Sequence, residues 1–95
     1  NQIITTDAYK PTPRLAEQVR LLHPTCVFPG CSRPSGSCDL DHIIPFAAGG
    51  PTTTWNLAPL CRGHHRLKTH TAWTYVVIPG IGFIWTDPSG RRHIR

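Results

Sequence analysis

Cys26 and Cys31 bracket the loop Val27-Phe28-Pro29-Gly30, and thirty residues further on Cys61 stands three positions before His64. A C-x4-C knuckle facing a C-x2-H pair offers four sulfur and nitrogen donors, the complement of a closed tetrahedral zinc site. Four cysteines in a small domain otherwise signal two disulfides, but disulfides give His64 no role. The segment Asn1 to Thr5 also has neither the basic end nor the apolar stretch of an export signal. The spacing therefore predicts a structural zinc on Cys26, Cys31, Cys61 and His64 in a reducing, cytoplasmic setting. Cys38 is left over, either a small buried residue or a substitute for His64 at the metal.

The rest of the chain shows why such a staple is needed. A chain of 95 residues buries only about 60–65% of its unfolded surface. This one is 39% hydrophobic, lacks methionine and holds ten prolines and eight glycines, which argues against a large aliphatic core. Zinc binding in small modules is itself folding free energy, on the order of 10–16 kcal/mol. The longest apolar run, Tyr75 to Ile78, stops at Pro79, far short of a membrane span. A net charge of +5 and a pI near 9.5 point to polyanionic partners. A start without Met reads as a piece of a longer protein.

One domain is expected over residues 1–95. Residues 1–10 show no period and read as an extended arm. Over 11–37, Thr12-Pro13 reads as a helix start and Leu15, Val19 and Leu22 as the apolar face of a short helix ending before Pro24, followed by the knuckle. In 38–70, Cys38 to Ile44 reads as a strand closed by Pro45, Ala48-Gly49-Gly50-Pro51 turns the chain, and Leu57 to about Thr69 reads as a second helix. That helix would carry Pro59 in its first turn and Gly63 against a bulky neighbour. In 71–95, Trp73, Tyr75 and Val77 alternate with Val76 and Ile78, and Phe83 to Thr86 forms a second run, so a β-hairpin is expected before a basic tail of Arg91, Arg92 and Arg95. The tryptophans and Tyr75 read as core or as surfaces for stacking bases.

At about 100° per residue, His64 lies roughly −60° and His65 roughly +40° from Cys61, so the two histidines serve different sites. His64 fits the zinc. His65 turns toward another element, for which the strand carrying Asp41 and His42 is the best candidate. One carboxylate and one imidazole leave most of a coordination sphere open, which suits a catalytic divalent ion such as Mg²⁺ or Mn²⁺. His42 beside them has the pKa range of a general base. Strict strand alternation would send Asp41 and His42 to opposite faces, so the strand must twist or end there.

Asp41-His42-Ile43-Ile44-Pro45, Gly49-Gly50, Asn56-Leu57 and Leu60-Cys61-x-x-His64-His65-x-x-Lys68 together resemble the HNH endonuclease motif. The flanks, Tyr9-Lys10-Pro11, the Cys26 to Cys31 knuckle, Cys38-Asp39-Leu40, Arg66-Leu67-Lys68 and Trp85 to Arg91, are similar to the C-terminal nuclease domain of actinobacterial HNH proteins that carry a separate N-terminal domain of unknown function. The resemblance spans residues 8 to 93. It implies an α+β, zinc-stabilised ββα-metal (His-Me finger) fold with an N-terminal helix and a C-terminal hairpin. It also implies a hydrolase that cuts DNA phosphodiester bonds to leave 5′-phosphate and 3′-hydroxyl ends. By position, Asp41 and His65 would hold the catalytic ion and His42 would activate water. Asn56 would bind metal or, the reading preferred here, pin the loop that orients His42.

Asp39 reads as hydrogen-bond support or as a plain surface carboxylate. Arg62, Arg66 and Lys68 read as DNA backbone contacts or as a solvated helix face, with Lys68 favoured because the motif includes it. No small-molecule cofactor is expected. The competing reading is a zinc-stabilised nucleic-acid-binding module without activity, which leaves Asp41-His42 unexplained. A third is a nuclease toxin paired with an immunity protein.

Overall fold

The computed structural model describes residues 3–95. Strands and helices follow in the order β1 (Thr5–Thr6), α1 (Pro13–Leu22), β2 (Asp39–His42), β3 (Thr52–Thr53), β4 (Leu57–Leu60), α2 (Arg62–His70), β5 (Thr74–Ile78), β6 (Gly82–Thr86) and β7 (Arg92–Ile94). Helix α1 starts as its sequence predicts: the Thr12 hydroxyl accepts from Leu15 N, and Pro13 occupies the first turn, where its missing N–H costs nothing. Leu15 and Val19 are fully buried against Leu57, while Leu22 is half exposed, so the buried stripe is one residue shorter than expected.

The largest departure from the sequence reading is at 57–60. These residues form β4, antiparallel to β2 in the register Asp39 to Leu60 and His42 to Leu57, and α2 begins only at Arg62. All four residues of β4 are buried. Side chains at 3.6-residue spacing cannot all be covered on a surface helix, whereas a strand packed on both faces reads as a continuous apolar run. Pro59 fits because its carbonyl accepts from Val27 N in the knuckle and β4 has no strand neighbour beyond β2. Gly63 faces open space, so the close neighbour expected there is absent. A steric demand exists instead at Gly50, where a Cβ would sit 1.8 Å from the Ile44 carbonyl oxygen.

The two ends of the chain are more ordered than their sequences suggest. The arm pairs through β1 with β3, Thr5 opposite Thr53 and Thr6 opposite Thr52. The basic tail contributes β7, the third strand of a sheet ordered β5-β6-β7. Asp87 closes the β6–β7 turn by accepting from Ser89 Oγ, Ser89 N and Arg91 N, and its other oxygen meets His93, contacts that hold its carboxyl far below the usual range. The main core gathers Trp85, Tyr75 and Phe83 of this sheet with Cys26, Val27, Leu60 and Ile43. Trp85 is fully buried and donates from Nε1 to the Val27 carbonyl at 2.9 Å, and Tyr75 stacks on it at 4.3 Å between ring centres. Both rings are therefore core rather than base-stacking surface. Among the described residues no helix is long and apolar enough to cross a membrane.

Candidate metal and catalytic site

The knuckle and the N-terminus of α2 converge. Ligand atoms of Cys26, Cys31, Cys61 and His64 all lie within 4.8 Å of one another, and no cysteine is in a disulfide. His64 Nδ1 is 3.2 Å from Cys61 Sγ and 3.6 Å from Cys26 Sγ. Tetrahedral zinc with bonds of about 2.3 Å to sulfur and about 2.0 Å to nitrogen sets donors roughly 3.5 Å apart, so the four fit that ion. Phe28 stacks on the His64 ring at 3.9 Å and fixes its plane. Burial pushes the Cys26 thiol up to about 12. A metal ion among these four donors would offset that burial cost by binding the sulfur as thiolate. Cys38 stands apart, its thiol directed at the Pro34 carbonyl at 3.3 Å, so it is a buried residue of the loop and not a substitute for His64.

One helical position on, His65 faces the other way, toward β2. Its Nδ1 lies 2.9 Å from Asp39 Oδ2, and its Nε2 lies 3.4 Å from Asp41 Oδ1. Asp39 is also gripped by Arg62 through Nε at 2.9 Å and Nη2 at 3.3 Å, and this pairing, with His65 second, holds its carboxyl below the usual range. Asp39 at Nδ1 fixes the orientation of the His65 ring, so that Nε2 faces Asp41 Oδ1 across the 3.4 Å gap. An imidazole nitrogen and a carboxylate oxygen placed in this way are donors of the kind that would hold a divalent ion.

The second oxygen of Asp41 is fully engaged. Tyr75 donates its phenolic hydrogen at 2.7 Å and Lys68 its ammonium at 2.8 Å, and Lys68 also donates to the His42 carbonyl at 2.9 Å. Lys68 thus points into the site instead of lying along a solvated face. Burial raises the Tyr75 hydroxyl well above its ordinary range, so it remains a donor. Arg62 is exposed and held by Asp39, whereas Arg66 lines the groove with Lys10 and His70.

His42 follows Asp41 as the last residue of β2. Its Nε2 meets Thr52 Oγ1 at 2.8 Å, and Tyr9 stacks on its face at 5.2 Å between ring centres. The strand ends at His42, one of the two outcomes expected there, and Asp41, His42, His65 and Lys68 all line one groove with Tyr9. Burial lowers the His42 pKa, with Lys68 acting in the same sense against Asp41, so the imidazole is neutral at pH 7.

Asn56 is wholly buried and away from the Asp41–His65 gap. Its Oδ1 accepts from Ile44 N at 2.9 Å, and its Nδ2 donates to the Ile44 and Pro51 carbonyls at 3.1 and 2.8 Å. These three bonds close the loop that carries Gly50 and delivers Thr52. Asn56→Ala orphans buried backbone groups, each worth roughly 1–3 kcal/mol. For a domain this size a loss of about 2 kcal/mol lowers Tm by roughly 8–16 °C in a thermal melt, and an unchanged Tm would count against the pinning role.

Tyr75, Thr52 and Tyr9 are the neighbours that a residue-by-residue reading misses. Tyr75 is legible in the sequence as one of an alternating set and as core or stacking surface, and Thr52 has no role attached there. Tyr9 stood in a matched flank with no role attached.

Residues 26–71 match the family model for HNH endonuclease, which supports an HNH domain there. Over 86 residues, 90% of this chain, it is 48% identical to the uncharacterized protein Rv3776 of Mycobacterium tuberculosis. It is 46% identical over the same share to the uncharacterized proteins Rv2100 and MT2160 from strains of that organism. The chain spans 16% of the length of these relatives. No solved structure matches the chain.

Proposed function

We propose that this HNH domain is a metal-dependent endonuclease that hydrolyses DNA phosphodiester bonds, in a ββα-metal arrangement made of β2, β4 and α2. The single observation that carries the reading is the facing pair of Asp41 Oδ1 and His65 Nε2, 3.4 Å apart, in the groove that His42 also lines. Asp41 and His65 hold the divalent ion, Mg²⁺ or Mn²⁺. When bound, that ion supplies stabilisation for the leaving 3′ oxygen and for charge on the phosphoryl group. His42 takes the proton of the attacking water. Lys68 and Tyr75 fix Asp41 so that a single oxygen is presented, and Asp39 fixes His65 in the tautomer that ligates. Asn56 keeps the loop behind His42 in place. Arg66, with Arg62 at the groove's edge, faces the nucleic-acid backbone, while Lys68 acts through Asp41 rather than on phosphate. Zinc on Cys26, Cys31, Cys61 and His64 is structural, and a metal held by thiolates is in keeping with a reducing, cytoplasmic setting.

The test is incubation of plasmid with zinc-loaded protein and Mg²⁺ or Mn²⁺. Cleavage to ends bearing 5′-phosphate is expected. One zinc per chain with no cleavage under any divalent ion would leave a zinc-stabilised nucleic-acid-binding module. Within the site, Asp39→Asn removes the charge that orients His65, and Mn²⁺ affinity measured by titration calorimetry is expected to fall about 10–100-fold. Equal affinity in the variant would remove Asp39 from that role.

A further inference from the structure

Thr52 has one hydroxyl hydrogen and two polar neighbours for it: the Tyr9 carbonyl oxygen at 3.3 Å and His42 Nε2 at 2.8 Å. A carbonyl oxygen can only accept, so contact with Tyr9 takes the hydrogen and turns a hydroxyl lone pair toward the histidine. We infer that Thr52, anchored on the backbone of the N-terminal arm, holds His42 in the tautomer with its hydrogen on Nε2 and leaves Nδ1 as the basic nitrogen. The inference rests on the reading of His42 as the general base and assigns which of its nitrogens does the work. Thr52 is a positioning residue, since it reaches the reaction only through the imidazole.

The surroundings agree with this assignment. Thr52 is 1% and His42 7% exposed, so water does not replace the hydroxyl at Nε2. Among the described residues no buried side-chain nitrogen or oxygen lacks a partner, and Nδ1 of His42 has no protein partner, so Nδ1 is the nitrogen that reaches solvent in the groove. With the opposite hydroxyl orientation the Tyr9 carbonyl would lose its donor and Nδ1 would carry a hydrogen, unable to accept a proton from water.

The position of the Tyr9 carbonyl is in turn set by the arm. Ile4 N donates to Thr54 Oγ1 at 2.9 Å, Thr54 N donates back to Ile4 O at 3.0 Å, and Thr6 pairs with Thr52 itself. Tyr9 then contributes twice, its carbonyl to Thr52 and its ring to the face of His42. The arm is therefore part of the catalytic architecture and not a linker that happens to lie beside it.

Long-range proton–nitrogen correlation spectra of the intact protein, labelled with ¹⁵N-histidine and loaded with zinc, read the tautomer directly at neutral pH. The expected spectrum shows His42 Nε2 as the protonated and Nδ1 as the unprotonated ring nitrogen. A protonated Nδ1 overturns the inference. Because this measurement needs no cleavage, the expected tautomer in a protein that fails to cut plasmid would sink the general-base role while leaving the hold of Thr52 on the ring intact. Thr52→Val keeps the side-chain shape and removes the hydroxyl. It is expected to mix the tautomers and lower kcat about 10–100-fold with little change in KM, and Thr52→Ser is expected to restore both. A valine variant with the unmixed tautomer and unaltered kcat would also overturn the inference, and the unsubstituted protein's spectrum decides the matter if that variant does not fold.

Discussion

His42→Ala is expected to slow metal-dependent plasmid cleavage by about 10²–10⁴-fold, the usual contribution of a general base. The size of the effect follows from how the imidazole is prepared. Burial and the Lys68 ammonium hold its pKa below the ordinary histidine range, so the basic form is present at neutral pH without prior loss of a proton. Alanine at 42 leaves the Asp41–His65 pair untouched, because that pair is held by Tyr75, Lys68 and Asp39 and not by the imidazole. Binding of Mn²⁺ should therefore survive while the rate collapses, a separation that a merely unfolded variant would not show. Cleavage at the unsubstituted rate by a folded His42→Ala protein would sink the assignment of the base.

The second large effect concerns the metal cluster. Chelation of zinc, or Cys26→Ser, is expected to unfold the domain and abolish cleavage together. Structural zinc supplies on the order of 10–16 kcal/mol in small modules, whereas net stabilities of folded domains are about 5–15 kcal/mol. Removing the first therefore cancels or exceeds the second. The fully buried Trp85, whose indole donates to the knuckle carbonyl of Val27, makes tryptophan emission and near-ultraviolet circular dichroism direct reporters of the loss. A chelated protein that keeps its native spectrum and a cooperative melt would show that the sheet core suffices by itself.

How much of this could be read from the chain varies with how local each signal is. The zinc ligands were legible because C-x4-C and C-x2-H fix donors within one loop and one helical turn, and the opposed directions of His64 and His65 follow from helix geometry alone. The helix start at Thr12-Pro13 is equally local. Leu57 to Leu60 failed for the opposite reason. A short apolar run has no period of its own, and only its pairing with Asp39 to His42 makes it a strand. The partners of Asp41 and His42 were not legible, since Tyr75 lies 34 residues from Asp41 and Tyr9 lies 43 residues from Thr52. The motif picks out the candidate side chains, and the fold supplies the groups that contact them.

The bond between Tyr75 and Asp41 has a consequence for the order in which the site is completed on the ribosome. Every residue of the candidate metal cluster, and His42, Asn56 and His65 with them, lies at or before position 65, so all of them are synthesised before the C-terminal sheet. Asp41 at that stage lacks the phenol that fixes one of its oxygens, and the knuckle lacks the indole of Trp85. A chain that ends before Thr74 thus carries the candidate site residues without the phenol that fixes Asp41 and without the indole that meets the knuckle.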